Sequence, residues 1–193
     1  MKVYIAGKVA NDSLHKRYDW RDDFCANLAK LSNLTLENLD PIKIQEDTMT
    51  PHDIFAKDCY LISQCDAMVV YLSDDISVGG SQEILIAKYF QKPVIGLAPR
   101  GGKFNGSSRK VAGRLVHNFQ CPFVFSTCDI VCDDLPMVAK ALISLNKGNL
   151  KIKTIDLIGK AAKSFTTSIN PPQTPSSPAK SSRIPQYPEN PTP

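Results

Sequence analysis

The sequence predicts an α/β domain, a flavodoxin-like doubly wound five-stranded parallel sheet with helices on both faces. Three observations carry this. Strand-like and helical segments alternate along residues 1–146, which is the pattern of a parallel sheet built from crossover units. The segment 67–72 (Ala-Met-Val-Val-Tyr-Leu) is an uncharged, mostly aliphatic run, as a strand covered on both faces requires. Directly after it, Gly79-Gly80 reads as a tight turn into a helix, placing that helix start at the carboxyl end of a strand, where open α/β sheets bind ligands.

In chain order, residues 2–6 read as the first strand, ending in Gly7, and residues 17–31 as a helix with a stripe at Phe24, Leu28 and Leu31. Residues 34–39 form a second strand, short and polar enough to lie near an edge. Asp40-Pro41 opens a loop of about ten residues, longer than an ordinary connection and therefore read as a lid over a site. Thr50 caps the next helix, with Pro51 at its first position and Asp53 in its first turn, and this helix runs to Gln64. After strand three, a helix over 81–91 capped by Gly80 or Ser81 leads into strand four at 93–97. A glycine-rich basic loop over 98–108, a helix over 109–118, a fifth strand at 123–126 and a helix over 135–145 complete the domain. Ile152, Ile155, Ile158 and Ala162 mark an amphipathic helix with lysines on its other faces, expected to dock on the domain.

The expected organisation is thus a catalytic domain over 1–146, a basic helical extension over 147–166 and a tail over 167–193. Eight of the 14 prolines fall in that tail among Ser, Thr, Asn and Gln, with no hydrophobic period, so it is expected to be disordered. The net charge of +4 sits outside the domain: residues 1–146 carry 16 basic against 17 acidic side chains. A duplex-binding face needs clustered Lys and Arg, so nucleic acid is not an expected partner. No apolar run reaches membrane-spanning length and the first strand begins at once without a leader, so a soluble cytoplasmic protein is expected. Six cysteines show no Cys-x-x-Cys spacing and read as free thiols of a reducing compartment.

Two acids stand out. Ile54, Asp58, Leu61 and Cys65 share one helical stripe, so Asp58 occupies a position the pattern assigns to the covered face. Covering an unpaired charge is costly, so either Asp58 has a buried structural partner or that end of the helix lines a cavity. Glu83 falls in the first turn of the helix after strand three, where the helix dipole favours an ionised carboxylate, although an acid there is also ordinary helix chemistry. Asp74 and Asp75 have no companions at ligand spacing, and neither a metal nor a cofactor is expected.

Val3-Tyr-Ile-Ala-Gly7, Asp58 with Ser63-Gln-Cys-Asp66, Ser77-Val-Gly-Gly-Ser-Gln-Glu83 and Lys92-Pro-Val-Ile95, in this order and spacing, resemble the nucleoside 2-deoxyribosyltransferase superfamily, which includes the 2′-deoxynucleoside 5′-phosphate N-hydrolases. The resemblance implies that Glu83 is the nucleophile at the sugar's anomeric carbon, that Asp58 assists proton transfer and base departure, and that Tyr4 stands near the catalytic glutamate. It also implies a homodimer acting on a nucleotide or nucleoside. Six residues before the nucleophile, the transferases have an aspartate that contacts the sugar 5′-hydroxyl, whereas this chain resembles the nucleotide hydrolases in having Ser77. A carboxylate there would repel a 5′-phosphate and a hydroxyl can donate to it, so a monophosphate substrate is expected. The Gly79-Gly80 turn, Gly7, Lys8, Arg17 and Ser108, the last from a partner subunit or its own, complete the expected binding set. Base exchange between deoxynucleosides and a non-catalytic nucleotide sensor remain the alternatives. Of the two acids, Glu83 is expected to stay ionised and Asp58 to hold the proton.

Overall fold

The computed structural model describes residues 1–8, 20–44, 48–72 and 75–169. Five parallel strands form the main sheet: β1 (Lys2–Ala6), β2 (Glu37–Asn38), β3 (Ala67–Tyr71), β4 (Val94–Leu97) and β7 (Ile130–Cys132), in the order β2-β1-β3-β4-β7. The register runs Val3 to Ala67 and Ala6 to Val70 between β1 and β3, then Met68 to Val94 and Tyr71 to Leu97 between β3 and β4. The direction of winding reverses between β1 and β3, which makes the space beyond their carboxyl ends the switch point of the sheet.

Alternation along the strands builds two cores. Tyr4, Met68, Val70 and Val94 face one way, against α2 (Pro51–Gln64), α3 (Val78–Tyr89) and α4 (Pro122–Thr127) through Leu61, Ile62, Ile84, Ala87 and Val124. Val3, Ile5, Val69 and Ile95 face the other way, against α1 (Trp20–Ser32) and α5 (Leu135–Asn146) through Cys25, Leu28, Val138 and Leu142. All six cysteines are free, and burial pushes the thiols of Cys65 and Cys132 up to about 11.

Three expected elements differ. The helix over 109–118 is instead an antiparallel hairpin, β5 (Asn105–Val111) and β6 (Arg114–Gln120). Ala112 and Gly113 both have positive φ, 46° and 82°, the backbone that matches a two-residue turn to the twist of its strands. The strand expected at 123–126 is α4, with Pro122 at its first position, and the fifth strand is β7. A short apolar run has no period long enough to separate the two states, and a proline that needs no donor there decides for helix. The stripe of α1 is also rotated: its buried residues are Arg21, Cys25, Leu28 and Ser32, while Leu31 is 48% exposed.

One compact unit comprises residues 1–157. Its last stretch is pinned where Asp129 accepts from the Lys153 amide (2.6 Å) and the Lys153 ammonium donates to the carbonyls of Phe125, Ser126 and Cys128. The helix α6 (Leu157–Ile169) starts later than Ile152 and Ile155 suggested, and none of its residues is buried. Residues 170–193 lie outside the described residues. Among those described, no helix is long and apolar enough to cross a membrane.

Candidate active site

The cleft at the switch point has a volume of about 180 Å³ and draws on five elements. β1 contributes Tyr4, with Gly7 just past its end, and α1 contributes Arg21. The 3-10 turn at Pro41–Ile44 adds Pro41 and Ile42, α2 adds Lys57 and Asp58, and α3 with its cap adds Glu83 and Ser77. It is not the largest hollow of the domain, because a cleft of about 530 Å³ lies beneath the hairpin. Convergence of a carboxylic acid pair, a phenol and two cations sets the smaller one apart.

α3 begins at Val78, ahead of the start near Ser81 that the sequence pattern suggests. Ser77 is its N-cap, with Oγ accepting from the Gly80 amide (3.0 Å), so Gly79 and Gly80 are helical residues rather than a left-handed turn. Space at Gly80 is tight, since a Cβ there would stand 3.1 Å from Ile76 Cγ1. Glu83 is consequently the sixth residue of the helix, in its second turn and beyond the reach of the dipole's positive end, and it is half-buried, turned toward β1. Tyr4, fully buried, donates from its hydroxyl to Glu83 Oε1 at 3.1 Å.

Burial first, and the Asp58 charge second, push the Glu83 carboxyl up to about 7, against the opposing pull of the Tyr4 hydrogen bond and of Arg21. The Asp58 carboxyl is raised by burial but held back by Lys57. Lys57 Nζ lies 3.7 Å from Asp58 Oδ1, an ion pair without a hydrogen bond, and donates at 2.8 Å to the Pro41 carbonyl. Both possibilities raised for Asp58 are therefore realised, since it has a cationic partner and faces a cavity. The expected division of protonation is reversed: Lys57 favours the charge on Asp58, and Glu83 keeps a proton toward neutral pH. Two coupled carboxyls titrate as a pair, and this pair holds one proton just below neutrality. Burial and the adjacent carboxylate drive the Tyr4 phenol far upward, so it remains a donor.

Replacing Lys57 by methionine is expected to move the shared proton. With the cation gone, the Asp58 midpoint rises, and Glu83, now ionising beside a neutral neighbour, titrates below its value of about 7. A carbon-13 titration of the side-chain carboxyls, wild type against Lys57→Met, reads both midpoints. Unmoved midpoints would show that Lys57 does not set the balance.

Arg21 is the residue the sequence reading passed over. Its guanidinium is 2% exposed, donates from Nε to the Ile5 carbonyl (2.9 Å) and from Nη2 to the Gly7 carbonyl (2.9 Å), and stacks at 4.8 Å on Trp20. These bonds hold the carboxyl end of β1 open to the cleft. A stripe drawn through Cys25 and Leu28 singles out Arg21 in the same way that the stripe through Leu61 and Cys65 singles out Asp58.

Gly7 lines the cleft because no side chain fits, a Cβ there standing 2.8 Å from Trp20 Cζ2. Trp20 is itself wedged between Phe24 and Tyr71, at ring separations of 5.6 and 5.5 Å. Gly7→Ala is therefore expected to cost about 1–3 kcal/mol of stability by overpacking, read by urea denaturation. Lys8 is exposed and does not line the cleft; its carbonyl accepts from Trp20 Nε1 (3.2 Å). Ser108 lies on β5 and does not line the cleft of its own chain, and Arg17 and Asp74 lie outside the described residues. Asp75 pairs with Lys103 at 2.9 Å, and among the described residues no cluster of three or more His, Cys, Asp or Glu is placed to hold a metal.

Fold and cleft together define a parallel α/β domain with a paired-carboxyl site at its switch point. No protein-family model matches the chain, and neither does any curated protein. Among solved structures it is similar to a CMP N-glycosidase from Clostridium botulinum, with 14% identity, a TM-score of 0.42 and coverage of 74% of this chain and 98% of the other. It is similar also to a 2-deoxyribosyltransferase from Bacillus psychrosaccharolyticus (14%, TM-score 0.49, 80% and 98%) and to one from Leishmania mexicana (18%, TM-score 0.49, 75% and 97%). These neighbours are of the superfamily the sequence motifs resemble. Overlaps this loose carry no inference about activity; the side chains of the cleft do.

Proposed function

We propose that the protein is an N-glycosidase that cleaves the bond between base and sugar in (deoxy)nucleoside 5′-monophosphates, releasing free base and sugar phosphate through a glycosyl ester on Glu83. The observation that carries the proposal is the meeting of Glu83, Asp58 and Tyr4 in one cleft, with the Tyr4 hydroxyl on Glu83 Oε1. N-glycoside cleavage passes through a cation-like sugar, which an ionised carboxylate stabilises and captures, while the departing base needs a proton.

The one-proton state of the pair can supply both. In its reactive arrangement the proton sits on Asp58 and Glu83 is ionised, with Tyr4 orienting Oε1 and leaving Oε2 to attack the anomeric carbon. The bond to the base breaks as the Glu83 ester forms, and the base takes the Asp58 proton. Water then attacks the same carbon, gives its proton to Asp58, and returns Glu83 as a carboxylate. Cleavage should accordingly decline above about pH 7, as the pair loses its last proton.

The phosphate preference rests on charge. Arg21 and Lys57 match the two acids, so with one proton on the pair the charged lining is net positive, and the Ser77 hydroxyl retains a proton to donate while its oxygen caps α3. A homodimer belongs to the same proposal, because Ser108 reaches a substrate only from a neighbouring chain; sedimentation of the full chain tests it. The decisive assay incubates the protein with a panel of nucleosides and nucleotides and detects free base. Release from monophosphates supports the hydrolase, transfer that requires an acceptor base replaces it with a deoxyribosyltransferase, and saturable binding without product replaces it with a sensor.

A further inference from the structure

We propose that the large cleft beneath the β5–β6 hairpin is a second binding site, for a neutral planar heterocycle with an amide-type edge, the chemical class of the free nucleobases. This cleft of about 530 Å³ shares no lining residue with the Glu83 cleft and is of the size that takes small molecules. Its own lining points to that ligand, whether or not the Glu83 cleft cleaves nucleotides.

One face of the hairpin forms its roof. Alternate residues of a strand share a face, and the register pairs Asn105 with Gln120 and sets Ser107 beside Asn118, so these four side chains line the cleft together. Asn105 is committed, donating from Nδ2 to the Ala98 carbonyl (3.1 Å) and to Asp133 Oδ1 (3.0 Å). The carboxamides of Asn118 and Gln120 and the Ser107 hydroxyl are exposed and have no hydrogen-bond partner among the described residues, so each can exchange water for the donors and acceptors of a ligand. Asn118 takes a left-handed backbone (φ 51°), a conformation that asparagine tolerates better than most residues.

The floor is apolar and partly aromatic. Phe125 packs against the core on the α2–α3–α4 side of the sheet with one surface and lines the cleft with another, and Val131 does the same. An aromatic floor below two carboxamides suits a flat ring whose edge alternates donors and acceptors. The charges in the lining explain why the ligand is neutral. Arg100 Nε and Asp133 Oδ2 bond one another at 2.5 Å, leaving no unmatched charge, whereas a phosphate would require one.

The test titrates the full chain with adenine, hypoxanthine, cytosine and uracil by calorimetry, with inorganic phosphate as contrast, and repeats the titrations on variants. At least one base should bind about tenfold more weakly in Gln120→Leu and in Asn118→Gly, each of which removes one edge contact. Glycine suits the positive φ at position 118, so that variant tests the amide without backbone strain. Binding should also shift the backbone amide resonances of residues 105–107 and 118–120. The proposal is overturned if no base binds, if phosphate binds in place of the bases, or if the hairpin variants leave base binding intact.

Discussion

Glu83→Gln is expected to lower turnover by on the order of 10⁴-fold while leaving nucleotide affinity within a few-fold of wild type, because the amide cannot form the glycosyl ester. Glutamine keeps an oxygen for the Tyr4 hydroxyl, so the loss would report on the nucleophile rather than on an orphaned phenol. Residual turnover near that of wild type would remove Glu83 from the chemistry. The same variant carries a stability signature that needs no substrate. Glu83 has its carboxyl raised from 4.5 to about 7, so between those values the folded protein binds more protons at this site than the unfolded chain. The stability contributed here is therefore full below about pH 4.5 and falls as pH rises through 7, by about 1.4 kcal/mol for each pH unit between the two values. Glu83→Gln removes that slope. Relative to wild type it should gain a few kcal/mol at pH 8 and little at pH 4.5, and parallel stability curves across this range would contradict the buried-acid assignment.

The second large effect lies behind the site. Lys88, five residues after Glu83 on α3, is fully buried and paired with the equally buried Asp129. Lys88 Nζ also reaches the Lys92 carbonyl at 3.3 Å, while Asp129 accepts from the amides of Val94 and Lys153, both at 2.6 Å. One carboxylate thus ties α3, β4 and the segment after α5 into a single joint. Burial lowers the lysine's pKa and the aspartate resists that shift, as expected for an ion pair taken out of water. Lys88→Met should cost about 3–5 kcal/mol, a large share of a typical domain's stability, because it strands a buried carboxylate. Lys88→Met with Asp129→Asn, which removes that charge and keeps an acceptor for one of the two amides, should recover part of the loss. Urea denaturation at neutral pH measures both, and a single variant within about 1 kcal/mol of wild type, the scale of an exposed pair, would place the pair in water.

The legible parts of the site were those written as local pattern. Asp58 stood on an apolar stripe, and the strand over 67–71 could be read from its uncharged run because a strand buried on both faces has no other composition. Arg21 was equally legible in principle, but Phe24 and Leu31 drew the stripe to the wrong side of α1. The hairpin was not legible because residues 109–118 mix small, basic and apolar types with no clear period, and their state is decided by a positive-φ turn at Ala112-Gly113. The length of α3 escaped because Ser77 and Ser81 are equally good caps in isolation, and in the fold it is Ser77 whose hydroxyl accepts from the Gly80 amide.

By itself, then, the sequence determined the alternating elements, the covered strand and the two acids to watch, since these follow from spacing along the chain and the cost of burying charge. Tertiary structure alone decided which acid keeps the proton, that Lys57 and Arg21 face the pair, and that the hairpin roofs a second cleft. Desolvation and Coulomb forces act through space, and residues far apart in the chain, such as Tyr4 and Glu83, acquire their chemistry only where the fold brings them into contact.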